Sequence, residues 1–210
     1  MFTPRTGLAL ICGGVLTTLI NACLTPLLPQ HVSFAVTAAS SLFLWRQSLS
    51  AAAAALLLFG SIGLYLFQSQ SAGRIGAIAF ALAFLGSALV FGTEWNEVFL
   101  IRDLARRAPA VLLTLDAAPH PSLYDLGAII PLAAFTVGWI ALAASTMRYS
   151  SLSRTGPAIL IAGFFAIPIL SAAIRNPWGA IVGNAVLGAG WIRLGYELRT
   201  RSVESIARET

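Results

Sequence analysis

Four of the chain's eight acidic residues fall within one stretch, GTEWNEVFLIRDLARRAPAVLLTLD, as Glu94, Glu97, Asp103 and Asp116. Glu94 and Glu97 stand at i and i+3, so on a helix they share a face. A carboxylate pair of this kind suits moving a proton, binding a cation or anchoring a polar head group. Glu94 and Glu97 are therefore the candidate acid/base residues. Arg175, in the short stretch IRNPW, is the candidate that orients them or stabilises charge. Arg46, Asn21, Asn176 and Asn184 are candidate ligand-binding residues. The competing reading is structural: a buried Glu–Arg clamp tying one helix to the Arg175 turn.

The remaining polar residues have simpler accounts. Asp103 and Arg107 are i,i+4 neighbours and read as a solvated ion pair. Ser122 followed by Asp125 has the spacing of a capping box, opening a helix at Leu123. An ExxE pair without ExxH is not a di-iron carboxylate pattern. His31 and His120 lie beside prolines rather than on facing helices, which argues against a haem. Neither metal nor cofactor is expected. Phosphate loops, serine-hydrolase elbows and HExxH are absent from the sequence. All 13 basic residues are arginine, which removes lysine Schiff-base chemistry. No aromatic-basic interleaving points to nucleic acid.

The elements that must position these residues are set by composition. The chain has 210 residues, 58% hydrophobic and 10% charged, with mean hydropathy +0.83. Soluble domains carry about 25% charged residues. Apolar blocks of roughly 17–25 residues match the thickness of a hydrocarbon core. Runs such as Ala51–Phe59 lack the alternation of barrel strands, and backbone groups in lipid must be satisfied within a segment. The expectation is an all-α integral membrane protein, one multi-pass domain over 1–210, with the look of a small bacterial membrane protein.

Six transmembrane helices are expected, at about 7–28, 49–67, 74–101, 126–146, 157–174 and 177–196, followed by a cytoplasmic tail at 197–210. The segment 31–45 is too short for an ordinary span and reads as an interfacial helix; a seventh span there is the alternative. A second interfacial helix is expected at about 99–110, broken at Pro109. With the N-terminus inside, eight arginines are cytoplasmic (5, 74, 148, 154, 193, 199, 201 and 208). The other five (46, 102, 106, 107 and 175) are outside. That bias favours cytoplasmic N- and C-termini in the cell membrane, with the 102–125 loop extracytoplasmic. Cys12 and Cys23 are about 16 Å apart on one helix, too far for a disulfide. Ile20–Cys23 resembles a lipoprotein cleavage box, although Asn21 departs from that pattern, and an ordinary first span is the preferred reading.

A helical wheel at 100° per residue orients the glutamates. Gly76, Ala79, Ala83, Gly86, Ser87 and Val90 fall on the face of Glu94 and Glu97, while Ile78, Leu82, Leu85 and Leu89 fall elsewhere. Small residues mark the side on which membrane helices approach closely, so the glutamates should look into the bundle. The Gly-rich last span, with Ala180, Asn184 and Gly188 in a four-spaced row, offers a second close-packing face, used within the chain or by a second copy.

The first functional expectation is a non-enzymatic bundle that binds a lipid-like ligand or a partner subunit near its extracytoplasmic end. The second is a membrane-embedded enzyme acting on a lipid or isoprenoid with Glu94 or Glu97 as acid/base. The third is a small proton-coupled transporter. An enzyme needs a ligand-sized cavity around the glutamates; a clamp predicts none.

Overall fold

The computed structural model describes residues 3–29, 31–117, 121–174 and 177–209, and among these it is helical throughout with no strand. Helix α1 spans Thr3–Leu19 and continues through a π-helical turn, Ile20–Leu24, into a short 3-10 turn at Thr25–Leu27. Helix α2 is Phe34–Ala39. Helices α3 (41–72) and α4 (74–96) are separated by a single non-helical residue, Gly73, at φ 51° and ψ −136°. Only glycine adopts that conformation without strain. The chain folds back there: Tyr65 and Phe80 stack with ring centroids 4.5 Å apart, whereas one straight helix would hold them about 22 Å apart.

Beyond α4 a second π-helical turn, Glu97–Ile101, leads into α5 (Arg102–Arg107), and α6 comes next at Pro109–Asp116. Then come α7 (Leu123–Tyr149), α8 (Thr155–Ala173) and α9 (Trp178–Glu209). Four helical stretches are long and apolar enough to cross a membrane: Pro4–Leu27, Ser41–Arg107, Leu123–Tyr149 and Thr155–Ala173.

The long helices pack as antiparallel neighbours, and glycines fix the registers. Gly7 lies against Gly195 and Gly14 against Gly188, joining α1 to α9. Gly13 meets Leu57 and Gly60 meets Leu10, joining α1 to α3. Gly163 meets Leu187 and Gly190 meets Leu160, joining α8 to α9. Gly86 meets Phe135 and Gly138 meets Ala83, joining α4 to α7. The result is a closed ring of six helices alternating in direction, with α7 also touching α8. Its core is a single cluster that includes Leu10, Leu64, Trp139, Leu142, Leu160, Trp191 and Leu194.

The small-residue face expected on 74–101 is the buried face of α4: Gly76, Ala79, Ala83, Gly86 and Ser87 are all buried. Ile78 and Leu85 on the other side are exposed. Ser87 Oγ donates to the Ala83 carbonyl and accepts the Trp139 indole N–H at 3.0 Å, pinning α7 to this seam.

The expected segment boundaries shift at two places. The stretch 31–45 is not one helix. It breaks at Ser40, whose extended backbone and side chain, accepting from the Phe43 N–H, start the next helix at Ser41. What remains, α2, is six residues long, about 9 Å, too short for the alternative seventh span. The 99–110 stretch breaks at Ala108, and Pro109 opens α6 at the position where its missing N–H costs nothing. Together α2, α5 and α6 form a small cap with its own core of Ala35, Ala38, Phe43, Ile101, Ala105 and Leu112. The capping box at the start of α7 is present, with Ser122 and Asp125 bonding each other reciprocally. At the opposite end Glu197 accepts from the Ser153 N–H and pairs with Arg193, tying the α7–α8 loop to α9.

Candidate functional site

Antiparallel alternation brings one terminus of every ring helix to the same end, where the ring is not filled. A cavity of about 430 Å³ lies there, lined from α1 and its π turn by Thr17, Ile20 and Asn21, from α3 by Arg46, Ser50 and Leu57, and from α4 by Val90 and Glu94. The other helices contribute Leu132, Phe135 and Thr136, Phe164 and Pro168, and Asn184, Leu187 and Trp191. Four residues singled out in the sequence, Glu94, Arg46, Asn21 and Asn184, therefore meet in one cavity, although they are far apart in the chain. Arg175 and Asn176 lie outside the described residues. Glu97 does not line this cavity. It stands about 60° round the helix from Glu94, and it lines a separate groove of about 500 Å³ between α4 and α7.

The polar groups form a connected chain. Asn21 Nδ2 donates to the Thr17 carbonyl, and its Oδ1 accepts from Thr25 Oγ1 at 3.5 Å. Arg46 Nε donates to Thr25 Oγ1 at 3.2 Å. Arg46 Nη1 donates to Gln47 Oε1. The Gln47 side chain also acts on Glu94, and the charge of Arg46 acts on both Glu94 and Glu97. Gln47 is 2% exposed. Its oxygen is taken by Arg46, and its amide nitrogen is a donor on the side of Glu94. A direct Arg46–Glu94 ion pair is absent among the described residues; the amide stands between them as a relay. The clamp expected between the glutamates and the Arg175 turn falls outside the described residues.

Among the described residues, two polar atoms at the cavity wall have no partner: Glu94 Oε2 and the Trp191 indole N–H. Buried polar groups are normally satisfied, so this pair of orphans, one acceptor and one donor, is what a bound polar molecule would satisfy. Below them the wall is aromatic. Trp191 contacts Phe135, Trp139 and Phe164 at centroid separations of 5.9, 5.6 and 6.0 Å. Pro168, inside α8, lacks the N–H that would bond to the Phe164 carbonyl, leaving a further backbone acceptor beside the cavity.

Local backbone irregularity surrounds the site. Both π-helical turns among the described residues, Ile20–Leu24 and Glu97–Ile101, interrupt helices at this polar end. Single π turns inside helices occur frequently at functional sites. The cap core begins one turn beyond the polar chain, at Phe43 on α3 and Ile101 beyond α4. The site thus lies between the bundle core and the cap.

Sequence reasoning missed Gln47, Thr25 and Trp191. Gln47 had a signal: a second polar residue directly after Arg46, at the head of an apolar run. Trp45, not Arg46, is the residue that faces outward, being 65% exposed. Nothing in the sequence distinguishes Trp191 from the other four tryptophans. No group of three His, Cys, Asp or Glu residues converges among the described residues. Compared with protein-family models, with curated proteins and with solved structures, the chain matches none.

Proposed function

We propose that this chain is a six-span protein of the cell membrane that holds one amphiphilic, lipid-like molecule at its extracytoplasmic end. The six alternating antiparallel helices and the arginine distribution support the span count and the cytoplasmic placement of both termini. In that frame α2, α5 and α6 lie at the outer interface, over the cavity.

The observation that carries the ligand reading is the composition of the cavity wall. A polar end, with Arg46, Asn21, Glu94 and Asn184, leads into an aromatic and aliphatic body, with Phe135, Phe164, Leu187 and Trp191. The volume falls within the roughly 300–1,000 Å³ of small-molecule sites. A ligand head that both donates, to Glu94 Oε2, and accepts, from Trp191 or Arg46, satisfies the orphaned atoms; its chain lies against the rings. The glycines of α9 are all packed against α1 or α8, so the reading uses no second copy of the chain.

Glu94's unpartnered oxygen supports a second reading, an enzyme acting on a lipid or isoprenoid, in which Glu94 would exchange a proton with the bound head. A proton-coupled transporter would need a polar path through the opposite half of the bundle. That half buries Thr6, Gln68, Ser145 and Thr146 beside the leucines of the core, but the cavity does not extend to them, and this third reading draws no support from it.

The test uses the buried indoles as reporters. With the exposed Trp45, Trp95 and Trp178 changed to phenylalanine, Trp139 and Trp191 remain. Dodecyl maltoside brominated on its alkyl chain, titrated into the purified protein, is expected to quench them saturably. Glu94→Gln should shift the midpoint upward by about tenfold, in line with loss of one charge-assisted hydrogen bond. Absence of buried-indole quenching, under conditions that quench Trp45 in the unaltered protein, overturns the reading.

A further inference from the structure

Helix α5, RDLARR, carries three arginines and one aspartate. Asp103 accepts from Arg107 Nε at 2.7 Å, so its charge is matched by Arg107. Arg102 and Arg106 have no such counter-charge: neither has an ion pair among the described residues. They stand at i and i+4, on one face of the helix. With Leu44, Val98, Phe99 and Asp103 they line a pocket of about 230 Å³. Arg102 Nε is also buried without a hydrogen-bond partner among the described residues. Buried donors are normally satisfied, and three cations against one anion favour an anionic acceptor here.

Position along the chain sets the depth of this pocket. From Arg74 to Arg102 the backbone is helical, and those roughly 28 residues rise about 42 Å. That matches the thickness of a bilayer with its head groups. Trp95 stands about 32 Å from Arg74, close to the thickness of the hydrocarbon core alone. With Arg74 in one head-group layer, Trp95 falls at the far edge of the hydrocarbon, and Arg102 and Arg106 fall among the head groups beyond it. Phe91, Trp95 and Phe99 follow one another up the helix, with ring centroids 5.9 and 4.5 Å apart. Trp95 and Phe99 are exposed, and Phe99 also lines the arginine pocket. An apolar stripe on the outside of the bundle therefore ends at two guanidinium groups without counter-charges.

We infer that this pocket binds the phosphate of an anionic phospholipid, held by Arg102 and Arg106, with an acyl chain along the Phe91–Trp95–Phe99 stripe. The inference uses the membrane placement proposed above and does not use the central cavity. A guanidinium fork matches phosphate geometry and keeps its charge at any working pH. The occupant is a lipid and not a free phosphate, because the ring that lines the pocket is the end of the exposed stripe, which a free anion would leave uncovered. A zwitterionic lipid fits less well, since its ammonium would lie beside two other cations.

Trp95 is the reporter. The protein with Trp45 and Trp178 changed to phenylalanine keeps Trp95 as its exposed indole, and a further Trp95→Phe version gives the background from the buried Trp139 and Trp191. Phosphatidylglycerol and phosphatidylcholine with brominated acyl chains are titrated separately into the protein in dodecyl maltoside. Phosphatidylglycerol should quench Trp95 with a midpoint about twentyfold below that of phosphatidylcholine, about fivefold for each arginine. Arg102→Gln with Arg106→Gln should bring the two midpoints together. Arg106→Gln alone, at an exposed position, should remove about fivefold and decides the matter if the double variant does not fold. Arg74→Gln with Arg148→Gln removes the same charge from exposed positions at the opposite end of the bundle and should leave the preference intact. Equal midpoints for the two lipids in the parent, or an equal loss from the Arg74 and Arg148 pair, overturn the site. Displacement of phosphatidylglycerol by inorganic phosphate, beyond that by chloride at the same ionic strength, overturns the lipid as occupant. The buried-indole titration of the cavity is a separate readout, so either reading can fail while the other stands.

Discussion

Helices α8 and α9 meet along a seam that is closed from end to end, whereas α4 and α7 meet along one that closes for only half its length. In the first, Gly163, Gly179, Gly183 and Gly190 each lie against the backbone of the facing helix. In the second, Gly86 and Gly138 do so, but at Gly127, on the same face of α7 as Gly138, a Cβ would meet nothing within 4 Å. The residue type is the same in both seams. What differs is the company: the open half carries Glu97 and adjoins Glu94, whereas an internal proline occurs in both seams, Pro131 in α7 and Pro168 in α8. Small residues allow helices to approach; whether they do depends on what else the interface must accommodate. Here the half containing carboxylates is the half that stays apart.

The largest effect expected from this contrast is on stability. Gly190→Leu would drive a side chain into the backbone of Leu160, where even a Cβ would lie 2.5 Å from the Cα. Neither backbone can give way, so a loss of about 3 kcal/mol or more is expected, at the top of the overpacking range. Gly127→Leu, in the open half of the other seam, should be neutral or stabilising by up to about 1 kcal/mol through helix propensity. Reversible unfolding of the two variants in detergent measures both. Similar losses at the two positions would erase the distinction between the seams.

A smaller effect sharpens the contrast within the polar end itself. Gln47→Leu keeps the volume but removes the amide that joins Arg46 to Glu94. Both charged groups then lose a buried partner, and a cost of about 1–3 kcal/mol is expected. The brominated-amphiphile midpoint should rise in the same variant, since Arg46 and Glu94 lose their fixed separation. Stability lost without any change in that midpoint would make the relay a purely structural tie.

Much of this organisation was legible in the sequence, for physical reasons that also explain what was not. The seam on α4 could be read because small and bulky residues segregate by angle on one helix, and helical geometry is regular. The capping box could be read because its partners are three residues apart. The convergence of Asn21, Arg46, Glu94 and Asn184 was only half visible: each is a polar residue near the same end of an apolar run, which places it at a level but not in a cavity. That Glu94 and Glu97 would face different compartments was not visible, because a shared helix face spans more than the width of one seam. Nor was Gln47 as an intermediary, since the angular pattern of α4 carries no information about a residue on α3. The break at Ser40 was missed because serines and a threonine are scattered through 31–45, and only the extended backbone of Ser40, capping helix α3, sets it apart.

The smallest expected effect comes from the remaining acid of the original cluster that has a described partner. Asp103 pairs with Arg107 at 2.7 Å, but their side chains are 55% and 80% exposed. A pair so open to solvent gains little from its charge and costs side-chain order, so Asp103→Asn should change stability by less than about 0.5 kcal/mol. It should also leave the amphiphile midpoint unchanged, because Asp103 does not line the cavity. The same two measurements on Glu94→Gln provide the comparison: both acids belong to one short stretch of sequence, yet only the substitution on the cavity side should register. If Asp103→Asn shifts the midpoint as far as Glu94→Gln does, the amphiphile is responding to net charge at this end of the protein, and the division of these carboxylates into a cavity side and a solvent side is wrong.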